Sequence, residues 1–166
     1  SSWGLSKFLE TSKIYNLPKV VSVQNPYNLL NRTYEVGLAE ISIREKSGLL
    51  AYSPMAFGVL SGKYRNSQKP QGSRLQLFGD QFPRYVGKSA SLAVEEYFKI
   101  SKKYKISLAQ LSLAFVNQQP FVTSNIIGAT TMNQLKEDIG SIDIELSSDI
   151  IGEINLVHKN NPNPAP

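Results

Sequence analysis

The chain has 166 residues, no cysteine, a formal net charge of +5, and 41% hydrophobic and 19% charged residues. That length supports one domain with a real core. The absence of cysteine excludes a disulfide framework or thiolate metal site and fits a cytoplasmic protein. No apolar run is long enough to cross a bilayer, and no basic-then-apolar leader opens the chain, so no membrane partner is expected. The basic residues are scattered, and the densest group, Lys99, Lys102, Lys103 and Lys105, falls on a predicted helix, where it reads as a solvated face. With no signature of a common nucleic-acid module, no nucleic-acid partner is expected either.

Leu5, Phe8, Leu9 and Ile14 sit at near-helical spacing, and Asn16-Leu17-Pro18 ends that helix. Val20 to Gln24, VVSVQ, is β-branched and reads as a buried strand, followed by turn chemistry at Asn25-Pro26-Tyr27-Asn28. Val36, Ala39 and Ile43 mark a second helix that stops near Ser47-Gly48. The run from Gly48 to Ser53 is a second strand, closed by Pro54.

Residues 65–89 read as a long polar loop, a length that in a compact domain suggests a functional flap. Ala93, Tyr97, Ile100 and Tyr104 mark the next helix. Ser107 with Gln110 is a capping box opening another, and Thr131 with Gln134 is a second box directly after a third strand, Thr123 to Ile127. Ser147-Ser148 opens a last amphipathic helix bearing Ile150, Ile154 and Val157. The tail 160–166 ends in NPNPAP and reads as flexible.

Helices alternating with strands predict an α/β protein with a parallel sheet. Three strands are few for such a sheet, which needs both faces covered, and an eight-stranded barrel takes about 250 residues. The expectation is a piece of a larger βα protein. Two apolar runs, LLAYSPMAFGVLSGKY (Leu49 to Tyr64) and IIGATTMNQLKEDI (Ile126 to Ile139), each stop at backbone-permissive residues followed by polar or basic groups. A parallel sheet ends at a ligand site in this way.

Together with VSVQNPYNLLNR, and in this order and separation, these segments resemble the last three strand ends of the aldo-keto reductase superfamily. The likeness is greatest to bacterial NADP(H)-dependent reductases related to the potassium channel β-subunits, and it covers nearly the whole chain. It implies a (β/α)8 TIM barrel, of which residues 1–166 would be the carboxyl-terminal half, with its last three strands and their helices.

The resemblance implies roles for eleven residues. Gln24 matches the glutamine that hydrogen-bonds the nicotinamide carboxamide, although a glutamine capping a turn reads equally well from the residue alone. Tyr52 matches the aromatic residue stacked on the nicotinamide ring. Ser53, Met55 and Gly58 match the loop around the pyrophosphate, where glycine permits close approach. Lys63 and Arg74 match basic residues at the cofactor phosphates. Gly128 runs into a helix whose first turn offers free N–H groups. Gln134 matches the residue beside the adenosine 2′-phosphate. Glu137 and Asp138 match a Glu-Asn pair at the adenine amino group, and Asp138 departs from it because aspartate cannot donate to a ring nitrogen.

The implied activity is NADP(H)-dependent reduction of a small aldehyde or ketone. The family's catalytic tyrosine, lysine, aspartate and histidine belong to the amino-terminal half, and no catalytic residue is assigned to this chain. The single histidine, His158, reads as a cation at a helix end. No metal-ligand cluster is expected. On this reading the isolated chain is inactive, its natural partner is the missing amino-terminal half, and its open strand edges favour self-association. The alternatives are a nucleotide-binding regulatory subunit, like the channel β-subunits, or an inactive truncated remnant.

Overall fold

Local signals set most element boundaries. The computed structural model describes residues 1–79 and 83–166. In chain order the main elements are α1 (Ser2–Ile14), β1 (Ser22–Pro26), α2 (Leu38–Glu45), β2 (Gly48–Tyr52), α3 (Arg74–Phe78), α4 (Lys88–Lys103), α5 (Leu108–Asn117), β3 (Val122–Asn125), α6 (Met132–Gly140) and α7 (Ser148–Asn160). Helix α5 begins where the Ser107 hydroxyl accepts the Gln110 N–H at 3.1 Å, and α6 where the Thr131 hydroxyl accepts the Gln134 N–H at 3.2 Å. Each hydroxyl satisfies one of the donors that a helix start leaves unpaired. The reciprocal half of the second box is displaced by one residue: the Gln134 side-chain oxygen accepts from the Thr130 N–H and hydroxyl instead.

The three strands form one parallel sheet in the order β1-β2-β3, with Gln24 beside Leu50 and Pro26 beside Tyr52. Alternation along the strands separates two faces. Leu49 and Ala51 are fully buried and join a core with Tyr97, Leu111, Phe115 and Val116 from α4 and α5. The opposite face carries Gln24, which is exposed, and Leu50 and Tyr52, which are half-buried. The sheet therefore has one helix-covered face and one open face.

Three expectations change against this frame. The run VVSVQ is not wholly buried: Val21 is 70% exposed because it precedes the strand, which begins at Ser22, and β1 is an edge of the sheet among the described residues. Residues 65–89 are not structureless. They contain short helical turns at Arg65–Ser67 and Pro83–Tyr85 as well as α3, and are anchored by buried Leu75 and Tyr85; residues 80–82 of the expected loop lie outside those described. The 160–166 tail is tied down, with the Ala165 N–H donating to the Leu30 carbonyl at 3.1 Å and the Asn163 side chain accepting from the Arg32 N–H at 2.7 Å. Among the described residues no helix is long and apolar enough to cross a membrane.

Gly48 shows how closely the strands approach. A Cβ at this position would lie 1.7 Å from the Thr123 hydroxyl oxygen and 3.1 Å from the Thr123 Cβ. At Gly152, in α7, a Cβ would meet open space. Gly48→Ala is expected to lower stability by about 1–3 kcal/mol through overpacking, whereas Gly152→Ala raises it by up to about 1 kcal/mol through helix propensity. Urea unfolding of the two variants reads the difference, and equal midpoints would show that β2 and β3 do not pack as described.

Candidate functional site

The carboxyl ends of β1 and β2 lead into one cluster of loops. Strand β2 ends at Tyr52, and Ser53 then turns the chain with φ +54°. Ala56, Phe57 and Gly58 follow with φ values of +47°, +61° and +89°. Non-glycine residues in this region each cost on the order of 1 kcal/mol, and they persist only where surrounding contacts hold them. The Ser53 carbonyl accepts from the Ala56 N–H at 2.8 Å, and the Met55 carbonyl accepts from Gly58 at 2.9 Å and Leu60 at 3.1 Å. The chain winds back on itself, and Gly58 takes a φ of +89° that would strain any L side chain.

A Cβ on Gly58 would lie 3.3 Å from the Lys63 Nζ and 3.2 Å from its Cε, so the lysine is folded over the glycine. The Lys63 ammonium also sits 5.2 Å from the centre of the Tyr64 ring. The Tyr64 hydroxyl in turn accepts the Leu75 N–H at 3.2 Å, joining this loop to α3. One residue earlier, the Arg74 guanidinium lies 5.3 Å from the centre of the Phe57 ring, and its Nη2 is 3.9 Å from the position a Cβ on Gly128 would take. Arg74 thus bridges the loop after β2 and the loop after β3. Neither Lys63 nor Arg74 forms an ion pair among the described residues, whereas Arg32, Arg44, Arg65 and Lys103 each do. Cations with no ion partner among the described residues, converging on a glycine-containing loop, create a local positive potential suited to an anion.

The expected residues divide into three groups. Gln24 and Tyr52 share the open face of the sheet. Ser53, Met55, Gly58, Lys63, Arg74 and Gly128 form the loop cluster at its end. Gln134, Glu137 and Asp138 lie along α6. Gln134 is exposed and bonded to Thr130, while the Glu137 carboxylate accepts the Ser107 hydroxyl proton and so links α6 to the start of α5. Asp138 turns inward: it is only 7% exposed and lines a cleft with Asn117, Asn125 and Ser141. Phe57, Tyr64 and Asn28 were not anticipated at this site. Phe57 and Tyr64 lay in the quoted motif without a role, and Asn28 read only as a turn residue.

Comparison with known proteins gives the family of the chain. Residues 1–159 match the model of the aldo/keto reductase family. The chain belongs to that family. It is 48% identical over 166 residues to "Protein tas" of Escherichia coli strain K12 and equally so to "Protein tas" of Shigella flexneri, covering all of this chain and 48% of each relative. It is also 39% identical over 142 residues to an "Aldo-keto reductase" of Babesia bovis, covering 82% of this chain and 50% of that protein. The chain therefore spans about half the length of the curated relatives it matches. An α/β fold with a parallel sheet is the architecture that family membership leads one to expect.

Among the perturbed ionisable groups, His158 and Asp138 depart from what the sequence led one to expect. Burial first, and the Arg32 charge second, lower the His158 imidazole from its ordinary value, and its Nδ1 is buried without a partner among the described residues. Both effects oppose the helix-end cation expected from sequence. At Asp138, burial first and Glu137 second raise the carboxyl above its ordinary value. A carboxyl raised in the folded state contributes stability that is full at low pH and is lost as pH rises through the folded value. Asp138→Asn is therefore expected to stabilise the aldo/keto reductase chain near neutral pH by about 1 kcal/mol, with the advantage vanishing below about pH 3. Urea midpoints measured across pH test this, and a pH-independent difference would remove the buried charge as the cause.

Proposed function

We propose that this chain is the carboxyl-terminal half of an NADP(H)-dependent aldo-keto reductase barrel and carries its cofactor cradle. The observation that supports this best is that Gln24 and Tyr52 share the open sheet face while Lys63, Arg74, Gly58 and Gly128 gather at its carboxyl edge. The residues fit the group: an exposed amide, a ring at a strand end, a glycine at positive φ, and two cations without an ion pair among the described residues.

On this reading the Gln24 amide, with both donor and acceptor, holds the nicotinamide carboxamide, and the Tyr52 ring covers one face of the nicotinamide. The backbone from Ser53 through Met55 to Gly58 wraps the pyrophosphate, and Lys63 and Arg74 neutralise its charge. Gln134 lies at the 2′-phosphate and Glu137 at the adenine, whereas Asp138, turned inward, keeps no role there. When bound, NADPH supplies a hydride to the carbonyl carbon of an aldehyde or ketone. The proton that completes the alcohol comes from a group outside this chain, because the motifs of the family's tyrosine acid do not occur in it. The chain alone is then inactive, and the missing amino-terminal half is its partner.

The open edges of β1 and β3 support the same reading, since in a closed barrel further strands would pair with both. Titration of the chain with NADPH, followed by quenching of Trp3 and tyrosine fluorescence, is expected to saturate, and Tyr52→Ala to weaken binding about tenfold. A chain folded by circular dichroism that shows no saturable binding would refute a cradle formed by this half. Sedimentation at micromolar concentration is expected to show self-association through the unpaired edges. A clean monomer would count against exposed, pairing-competent strands.

A further inference from the structure

Asn28 stands outside every role considered above, yet it is fully buried and nearly all of its polar groups are used. Its N–H donates to the Asn31 carbonyl, and its carbonyl accepts from the Asn31 N–H, both at 3.0 Å. Its side-chain oxygen accepts the Leu30 N–H at 2.9 Å. These bonds hold the side chain at one orientation, with one direction left for Nδ2. That group donates to the Ser53 carbonyl at 2.9 Å, across a sequence separation of 25 residues.

The place of that bond gives it meaning. The Tyr52 carbonyl accepts from the Tyr27 N–H at 3.3 Å, so the carbonyls on both sides of the Ser53 α-carbon are held by two successive residues after β1. Between those two bonds Ser53 has its left-handed φ of +54°. Rotation there would swing the loop away from the strand and tilt the Tyr52 peptide with it. The backbone bond from Ala56 to Ser53 lies inside the loop and moves with it, whereas the Asn28 bond anchors the loop to a different strand end.

We infer that Asn28 is a positioning residue: it fixes the Ser53–Pro54 peptide while Tyr27 holds the Tyr52 carbonyl, and together they keep the Ser53 turn that presents the Tyr52 ring to the nicotinamide. The inference rests on the reading of Tyr52 given above. Asn28 touches neither cofactor nor substrate on this account; it acts through a backbone carbonyl. Its effect reaches the nicotinamide and the pyrophosphate loop that begins at Ser53, but not the adenosine end, because α6 is held by its own contacts at Thr130, Thr131 and Ser107.

The decisive variant is Asn28→Asp, which keeps the acceptor for Leu30 but faces the Ser53 carbonyl with an oxygen. When ionised it repels that carbonyl, and when protonated its O–H donates in place of the amide. Titrated with oxidised NADP, this variant is expected to bind about tenfold more weakly than the original chain at about pH 8. Affinity for 2′,5′-ADP, which carries only the adenosine half, should stay within about twofold. Because this position is fully buried, desolvation raises the introduced carboxyl, and lowering the pH to about 5 should restore most of the lost affinity for oxidised NADP, relative to the original chain under the same conditions.

Asn28→Ala, which removes the donor without burying a charge, should give the same selective loss with no recovery at low pH. It also serves if the aspartate variant does not fold. Equal losses for both ligands, or no loss for oxidised NADP in a folded variant, would overturn the inference. Failure of the underlying cofactor reading would look different: the original chain would bind neither ligand, and the role of Asn28 would fall with it.

Discussion

The ion pair between Arg32 and Glu35 is the contact on which the remaining packing converges. Arg32 Nε and Nη2 donate to the two carboxylate oxygens of Glu35 at 2.6 and 2.9 Å, and Nη1 donates to Asn155 of α7 at 2.8 Å. The guanidinium lies 5.0 Å from the centre of the Phe115 ring of α5. The Tyr27 hydroxyl donates to Glu35 at 2.5 Å, and the Tyr27 ring stacks on Phe115 with centroids 6.0 Å apart. The Tyr97 hydroxyl of α4 donates to the Leu29 carbonyl at 3.0 Å, and the carboxyl-terminal tail bonds Leu30 and Arg32. Elements from the second half of the chain, α4, α5, α7 and the tail, thus meet on the turn after β1.

A largely buried ion pair is weak evidence for net stability, because desolvation offsets much of its attraction. Its stronger consequence is geometric. The forked guanidinium accepts one planar arrangement of carboxylate, amide and ring, so α5, α7 and the turn have little freedom to slide. Burial and the neighbouring Glu35 carboxylate push the Tyr27 hydroxyl far above its ordinary value, so it remains a donor at any working pH. The turn is therefore rigid before it reaches Asn28, and a rigid turn can hold a strained loop in register.

The sequence disclosed what depends on local pattern. Capping serines and threonines marked the starts of α5, α6 and α7, and their hydroxyls accept the expected backbone N–H groups. The quoted motifs located the two site loops, because glycine and basic residues after an apolar run carry their meaning within a few positions. What stayed hidden was long-range. Asn28 looked like an ordinary turn residue, since its partner Ser53 is distant in sequence. The short helices within 65–89 lack strong periodicity and depend on Leu75 and Tyr85 finding the core. The inward turn of Asp138 followed from helix packing, which spacing alone did not fix.

The two layers of the molecule do different work. On the covered face, Leu49 and Ala51 against Phe115 and Val116 provide apolar burial, worth roughly 25 cal/mol per Å² removed from water. The open face contributes little burial and instead displays Gln24 and Tyr52. Such a face is costly to leave exposed in an isolated sheet, yet its polar and aromatic residues would be poor choices for a core. That mismatch is explained if the face is built to meet a ligand and further strands. The positive loops at its edge then complete a surface whose composition follows binding rather than stability.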